Sequence, residues 1–159
     1  MAVKMLVFDY RESEKEFFRT HELENFDITF YTESLNDDTV SELPGEDLDN
    51  TAVISVFIDS EVSEDVINSF KNLRIISTRS TGVDHINLNA AHEKNIAVVN
   101  VEAYGSRSVA QFTFGLILAL VRNIIPAADF VLNPNHSCMD FLGRDLSKFT
   151  LGVVGTGNI

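Results

Sequence analysis

Tryptophan is absent from the 159 residues, cysteine occurs once and proline three times. With Cys138 alone no internal disulfide can form, and a reducing compartment such as the cytoplasm is the expected setting. No run reaches about 18 uncharged apolar residues, so no segment reads as a membrane span. The opening Met-Ala-Val-Lys-Met lacks a secretory-signal pattern. His21, His85, His92 and His136 are scattered without metal-ligand spacing and read as surface or capping residues, so no metal site is expected. Basic residues are scarce where acid is dense: residues 1–65 hold 18 acidic side chains against 4 basic ones, net −14. Nucleic acid and anionic membranes are therefore poor partners for that part. Residues 66–159 hold 6 acidic and 8 basic side chains, net +2, so a small anion, if one binds, is expected there.

What is present is the composition of a globular protein, 45% hydrophobic and 23% charged. The length suits one core plus a piece of a second. Short apolar runs at Lys4–Phe8, Phe26–Tyr31, Ala52–Phe57, Arg74–Thr78 and Ile96–Asn100 read as strands. Helical patterns lie between them at Glu12–Thr20 (Ser13 and Glu16 forming a capping box), Ser63–Phe70 and Leu88–Lys94. Residues 32–50 are acidic, contain Pro44-Gly45 and read mostly as loop, with one helical turn near Thr39–Leu43. Strands alternating with helices predict an α/β fold with a flavodoxin-like parallel sheet over residues 1–100, its ligands at the carboxyl ends of the strands.

Residues 101–159 change character. Ser108–Asn123 is apolar nearly all round, which calls for burial between domains or subunits, and Pro126–Leu132 reads as a further helix. Leu151–Val154 reads as a strand buried on both faces, followed by Gly155-Thr-Gly157, the first two glycines of a dinucleotide-binding turn. An ordinary glycine turn is the alternative. Two readings also stay open at Thr81-Gly82, after the fourth strand: a nest of backbone N–H groups for an anion, or a plain strand-to-helix turn. Phe57, at the end of the third strand, reads as a core aromatic. Asp9 and Asp59, with Thr78, suggest a phosphoacceptor receiver module, but no second acid adjoins Asp9 and no lysine ends the fifth strand.

Three segments, Ile76–Asn87, Asn100–Gln111 and Leu142–Ile159, together resemble the NAD-dependent D-2-hydroxyacid dehydrogenases, with the D-lactate dehydrogenase branch the most similar. The resemblance implies an oxidoreductase that reduces a 2-oxo acid, for example pyruvate to D-lactate, and a chain that covers the N-terminal part of it. Residues 1–100 would be the substrate domain; residues 101–159 would be linker helices and the start of a Rossmann domain holding NAD, with NADP left open. It implies that Thr81 and Gly82 bind the substrate carboxylate, that Tyr104 stands near it and that Phe57 limits substrate size. Gly155, Gly157, Asn158 and Ile159 would contact the cofactor. Arg107, Ser108 and Gln111 differ from the residues frequent in that family. Its catalytic arginine, acid and histidine fall beyond Ile159, so Arg79 takes no such role, no catalytic residue is assigned within the chain and the chain by itself is expected to be inactive. Homodimerisation through the apolar helix is implied as well. A truncated or regulatory relative without turnover is the alternative.

Overall fold

The computed structural model describes residues 2–20, 23–133, 142–155, 157 and 159. These form two compact units, Met1–Glu102 and Ala103–Ile159.

The first unit is a five-stranded sheet with helices between its strands. Its strands are β1 (Val3–Val7), β2 (Phe26–Phe30), β3 (Val53–Val56), β4 (Ile75–Thr78) and β5 (Ala97–Val99). They lie in the order β2-β1-β3-β4-β5, and every neighbouring pair is parallel. All four residues of the central β3 are buried, as a strand covered on both faces requires. The chain runs from β1 out to β2 and returns on the other side of β1, so strand order reverses between β1 and β3. Ligands of open parallel sheets bind at such a reversal, outside the carboxyl ends of the strands.

Helices α1 (Lys15–Thr20), α2 (Asp37–Ser41), α3 (Gly45–Asn50), α4 (Glu64–Ser69) and α5 (Leu88–Glu93) complete this unit. Leu6, Phe8, Ile54, Val56 and Ile76 from the sheet share one core with Val62, Val66, Ile67 and Phe70. Ser63 caps α4 by accepting from Val66 N–H at 3.1 Å, and Asn87 caps α5 by accepting from Ala90 N–H at 3.1 Å. Residues 32–50 hold two helices: α2 overlaps the single turn expected near Thr39–Leu43, while α3 stands where loop was read. Asn36 Oδ1 accepts from Asp38 N–H and Thr39 N–H at 3.0 and 2.9 Å, while Thr39 Oγ1 accepts from Asn36 N–H at 2.9 Å. That reciprocal cap starts α2. Asp37, Asp38, Glu46 and Asp47 fall in first turns, where the helix dipole favours negative charge. The acidity thus marks helix starts rather than loop.

Asp47 is 6% exposed, and its carboxylate receives Lys4 Nζ and the Tyr31 hydroxyl, each at 2.7 Å. Burial alone would raise Asp47, but the hydrogen bonds from Lys4 and Tyr31 outweigh it and hold the carboxyl below its usual range. Burial and the bond to Asp47 push the Tyr31 phenol up to about 12, and the Asp47 hydrogen bond raises Lys4. The Asp47 contribution to stability is therefore present above the ordinary carboxylate range and lost as pH falls through its depressed value. Those of Lys4 and Tyr31 are present at neutral pH and lost as pH rises, for Tyr31 through about 12. Asp47→Ala strands an ammonium and a phenol, and is expected to lower stability by about 2–3 kcal/mol in urea unfolding at pH 7. A midpoint equal to wild type would show that the network contributes nothing.

In the second unit, α6 (Ser106–Val121) and α7 (Ile124–Leu132) meet at Asn123, whose left-handed φ of 52° breaks the helix and bends the pair by 65°. Among the described residues no single helix is long and apolar enough to cross a membrane; α6 and α7 reach that length only together, across the bend. No residue of α6 is buried. Leu151–Val154, expected as a strand, has no strand structure, and Val153 and Val154 are exposed. A strand needs ladder partners, and none of the described segments pairs with it.

Candidate functional site

The carboxyl ends of β1, β3 and β4 are tied together by two charged side chains. Asp9, two residues past β1 with φ 53°, is 8% exposed. Its Oδ2 accepts from Phe57 N–H at 2.9 Å and from Ser60 Oγ–H at 2.6 Å, and Ser60 Oγ accepts from Leu35 N–H at 2.9 Å. A phosphoacceptor must be open to solvent, whereas this carboxylate is buried and used to hold the loop after β3. Asp59 beside it is exposed and makes no such tie. The receiver reading does not fit this arrangement.

Arg79 is the second tie. Nη1 donates to Ser55 Oγ at 3.0 Å, and Nη2 donates to Phe8 O and Asp9 O at 2.8 and 3.1 Å. Its Nε faces Glu14 Oε1 at 3.3 Å, too poorly aligned for a hydrogen bond but within ion-pair range. The guanidinium is spent inside the fold and is not free to clamp a ligand carboxylate. Arg79 Cζ also stands 5.9 Å from the ring centre of Phe57, and Arg11 Cζ 5.7 Å from it. Phe57 is thus a half-buried ring at the end of β3, held by two guanidinium groups.

The turn after β4 has three successive carbonyls pinned to the protein. Ser80 O accepts from Val101 N–H at 3.0 Å, Thr81 O from Asn100 Nδ2 at 2.8 Å, and Gly82 O from Ser80 Oγ at 2.8 Å. No peptide bond here is cis. In a trans peptide the N–H points opposite to its carbonyl, so the N–H groups of Thr81, Gly82 and Val83 each point away from their own pinned carbonyl. Among the described residues none of the three meets an acceptor. Successive N–H groups left without a protein acceptor are what an anion nest is made of. Thr81 Oγ1 donates to Val101 O at 2.9 Å, which secures the turn to the segment after β5.

Gly82 has no left-handed φ, and an added Cβ meets a single atom, Asp84 Oδ2 at 3.4 Å. Backbone strain therefore does not require glycine there; its bare Cα leaves the amide face uncovered. Gly82→Ala is expected to change thermal stability by less than about 0.5 kcal/mol. A loss of several times that would reveal strain the backbone geometry does not show.

Sequence reasoning singled out Thr81, Gly82 and Phe57, and all three stand at the carboxyl edge of one sheet. It missed Ser80, Asn100 and Val101, which orient the peptides, and it read His85 as a surface or capping residue. His85 instead brings Nε2 to 3.1 Å from the buried Thr78 hydroxyl. Tyr104 belongs to the second unit, on the segment before α6, and is 65% exposed. Gly155 adopts φ 94°, a conformation that needs glycine, and nothing lies within 4 Å of a Cβ built at Gly155 or Gly157. These two glycines fit the close approach of a phosphate, while the helix whose N-terminus would complete such a cradle is not among the described residues. Asn158 lies outside the described residues; Ile159 is exposed. Among the described residues no group of three or more His, Cys, Asp or Glu side chains converges as a metal would need.

Comparison with known proteins bears on the whole chain. Residues 5–153 match the family model described as D-isomer specific 2-hydroxyacid dehydrogenase, catalytic domain. A 2-hydroxyacid dehydrogenase homolog of Schizosaccharomyces pombe is 36% identical over 137 residues, 85% of this chain and 40% of that protein. A D-3-phosphoglycerate dehydrogenase of Methanocaldococcus jannaschii is 39% identical over 114 residues, 72% of this chain and 22% of that protein. Among solved structures, the D-lactate dehydrogenase of Aquifex aeolicus complexed with NAD and lactic acid superposes with a TM-score of 0.83 at 34% identity. The superposition covers 97% of this chain and 45% of that one. The chain thus spans less than half the length of the relatives it resembles.

Proposed function

Because this chain belongs to the D-isomer specific 2-hydroxyacid dehydrogenase family, we propose that residues 1–100 serve as the substrate domain of an NAD-dependent oxidoreductase of the D-lactate dehydrogenase type. The reaction is the reversible reduction of a small 2-oxo acid, such as pyruvate, to the D-2-hydroxy acid. One observation supports this most: the pinned carbonyls of Ser80, Thr81 and Gly82, which leave three N–H groups without a protein acceptor at the carboxyl edge of the sheet. Two or three unsatisfied backbone N–H groups can serve the two oxygens of a carboxylate, and fixing that end of the substrate fixes where its C2 carbonyl lies. Phe57 bounds the space for the C3 substituent. A bound nicotinamide cofactor supplies the hydride; Gly155 and Gly157, with Asn158 and Ile159, belong to its phosphate turn. Residues 101–159 carry the linker helices and the start of that second domain. The partners are the small acid and a second copy of the chain, with a cytoplasmic setting.

The test uses the ¹⁵N-labelled chain. Sodium pyruvate is expected to shift the amide signals of Thr81, Gly82 and Val83 together and saturably, in the millimolar range because the nest itself offers only N–H dipoles. Sodium chloride at equal ionic strength should not. Shifts spread over the surface, or absent from this turn, would refute the reading.

A further inference from the structure

We propose that His85 is a positioning residue for this carboxylate site, acting through the hydroxyls of Thr78 and Ser80 on the Gly82–Val83 peptide. The proposal rests on the reading of Thr81–Val83 as that site. Three contacts carry it: Ser80 Oγ to Gly82 O at 2.8 Å, Thr78 Oγ1 to Ser80 Oγ at 2.6 Å, and His85 Nε2 to Thr78 Oγ1 at 3.1 Å. A carbonyl only accepts, so Ser80 donates its single hydroxyl hydrogen to Gly82 O. Ser80 must then accept from Thr78, and Thr78, its own hydrogen spent, must accept from His85 Nε2. The chain of donors therefore has one direction: His85 Nε2–H, Thr78 hydroxyl, Ser80 hydroxyl, Gly82 carbonyl. It selects the neutral tautomer with hydrogen on Nε2 and is equally served by the imidazolium.

Thr78 is fully buried and Ser80 is 4% exposed, so water does not take over a missing link. His85 sits on a fixed support, because its carbonyl accepts from Val62 N–H at 2.8 Å and the next residue, Ile86, bridges to Val62. An anchored imidazole can thus set the rotamers of two buried hydroxyls, and the second of them holds the peptide whose N–H is the third donor of the nest. A histidine read as a surface or capping residue becomes the origin of the turn's orientation.

The test compares His85→Leu, His85→Gln, Thr78→Val and Thr78→Ser in the ¹⁵N-labelled chain. Glutamine places an amide N–H near the position of Nε2, and serine keeps the hydroxyl, so these two rescue a donor chain but not the filled volume. Residual dipolar couplings of the Thr81, Gly82 and Val83 N–H groups are measured without ligand, and pyruvate is then titrated. His85→Leu and Thr78→Val are expected to change the Val83 coupling and weaken pyruvate binding about fivefold. His85→Gln and Thr78→Ser are expected to keep wild-type couplings and bind within about twofold of wild type. The proposal is overturned if His85→Leu leaves couplings and binding unchanged, or if leucine and glutamine behave alike, which is the mark of mere volume filling. Thr78→Val is nearly isosteric and carries the test if His85→Leu does not fold. If wild-type amides ignore pyruvate, the site reading is what fails. The couplings then decide alone whether His85 orients the peptide, and unchanged values in both apolar variants overturn that as well.

Discussion

In sedimentation velocity at micromolar concentration, the 159-residue chain is expected to run as a dimer or larger species rather than as a monomer. The cause is α6. Phe112, Leu116 and Leu120 recur at four-residue spacing on one helix face and are 68%, 52% and 79% exposed, and Phe114 and Leu118 add further apolar surface. Covering each such side chain is worth roughly 1.5–3 kcal/mol, and monomers rarely leave a contiguous patch of that kind in water. A second copy offers the same helix, so a two-fold pairing is self-complementary. Replacing Phe112, Leu116 and Leu120 together by glutamine keeps helix propensity and removes the apolar face. That variant is expected to sediment as a monomer while the amide spectrum of residues 1–102 stays unchanged. A wild-type monomer that binds no hydrophobic dye would contradict the account of α6.

The second large effect is an absence of turnover. The chain by itself is expected to give pyruvate-dependent NADH oxidation indistinguishable from a blank. Reducing a 2-oxo acid requires a proton donor at the C2 oxygen and a cation or hydrogen-bond donor that polarises that carbonyl. The histidine and the arginine that flank the nest in sequence are already engaged. His85 spends Nε2 on Thr78, and Arg79 spends its guanidinium on Ser55, Phe8, Asp9 and Glu14. His92 lies on α5 with an exposed side chain, away from the turn in sequence and on a different element. A measurable rate that vanished on altering a residue of this chain would overturn the statement.

Some of this was legible in the sequence because parallel strands announce themselves. Ala52–Phe57 is an apolar run interrupted only by Ser55, and the structure makes its centre, Val53–Val56, the buried middle strand. Thr81-Gly82 was legible as a strand-to-helix turn carrying glycine. What makes the turn useful was not, because its carbonyls are held by Asn100 and Val101, about twenty residues further along the chain. Such pairings follow from β5 lying beside β4, a fact of topology rather than of local pattern. Composition hid α3, and it cut α2 to a single turn: acid and proline suggest loop, and the Asn36–Thr39 cap that extends α2 was not recognised. His85 was read from its type and isolation, and its partner Thr78 became visible only once the turn folded back on the end of β4. Leu151–Val154 failed in the opposite sense, since its pattern is that of a strand but no described segment pairs with it.

The central claim is that the Thr81–Val83 amides receive a carboxylate, and a crystal of this chain soaked in a 2-oxo acid tests it most directly. The account predicts carboxylate oxygens about 2.7–3.2 Å from the backbone nitrogens of Thr81 and Gly82, with the Gly82 carbonyl still on Ser80 Oγ. A carboxylate bound elsewhere on the first unit, or a turn whose N–H groups are satisfied by the protein's own acceptors, would contradict it.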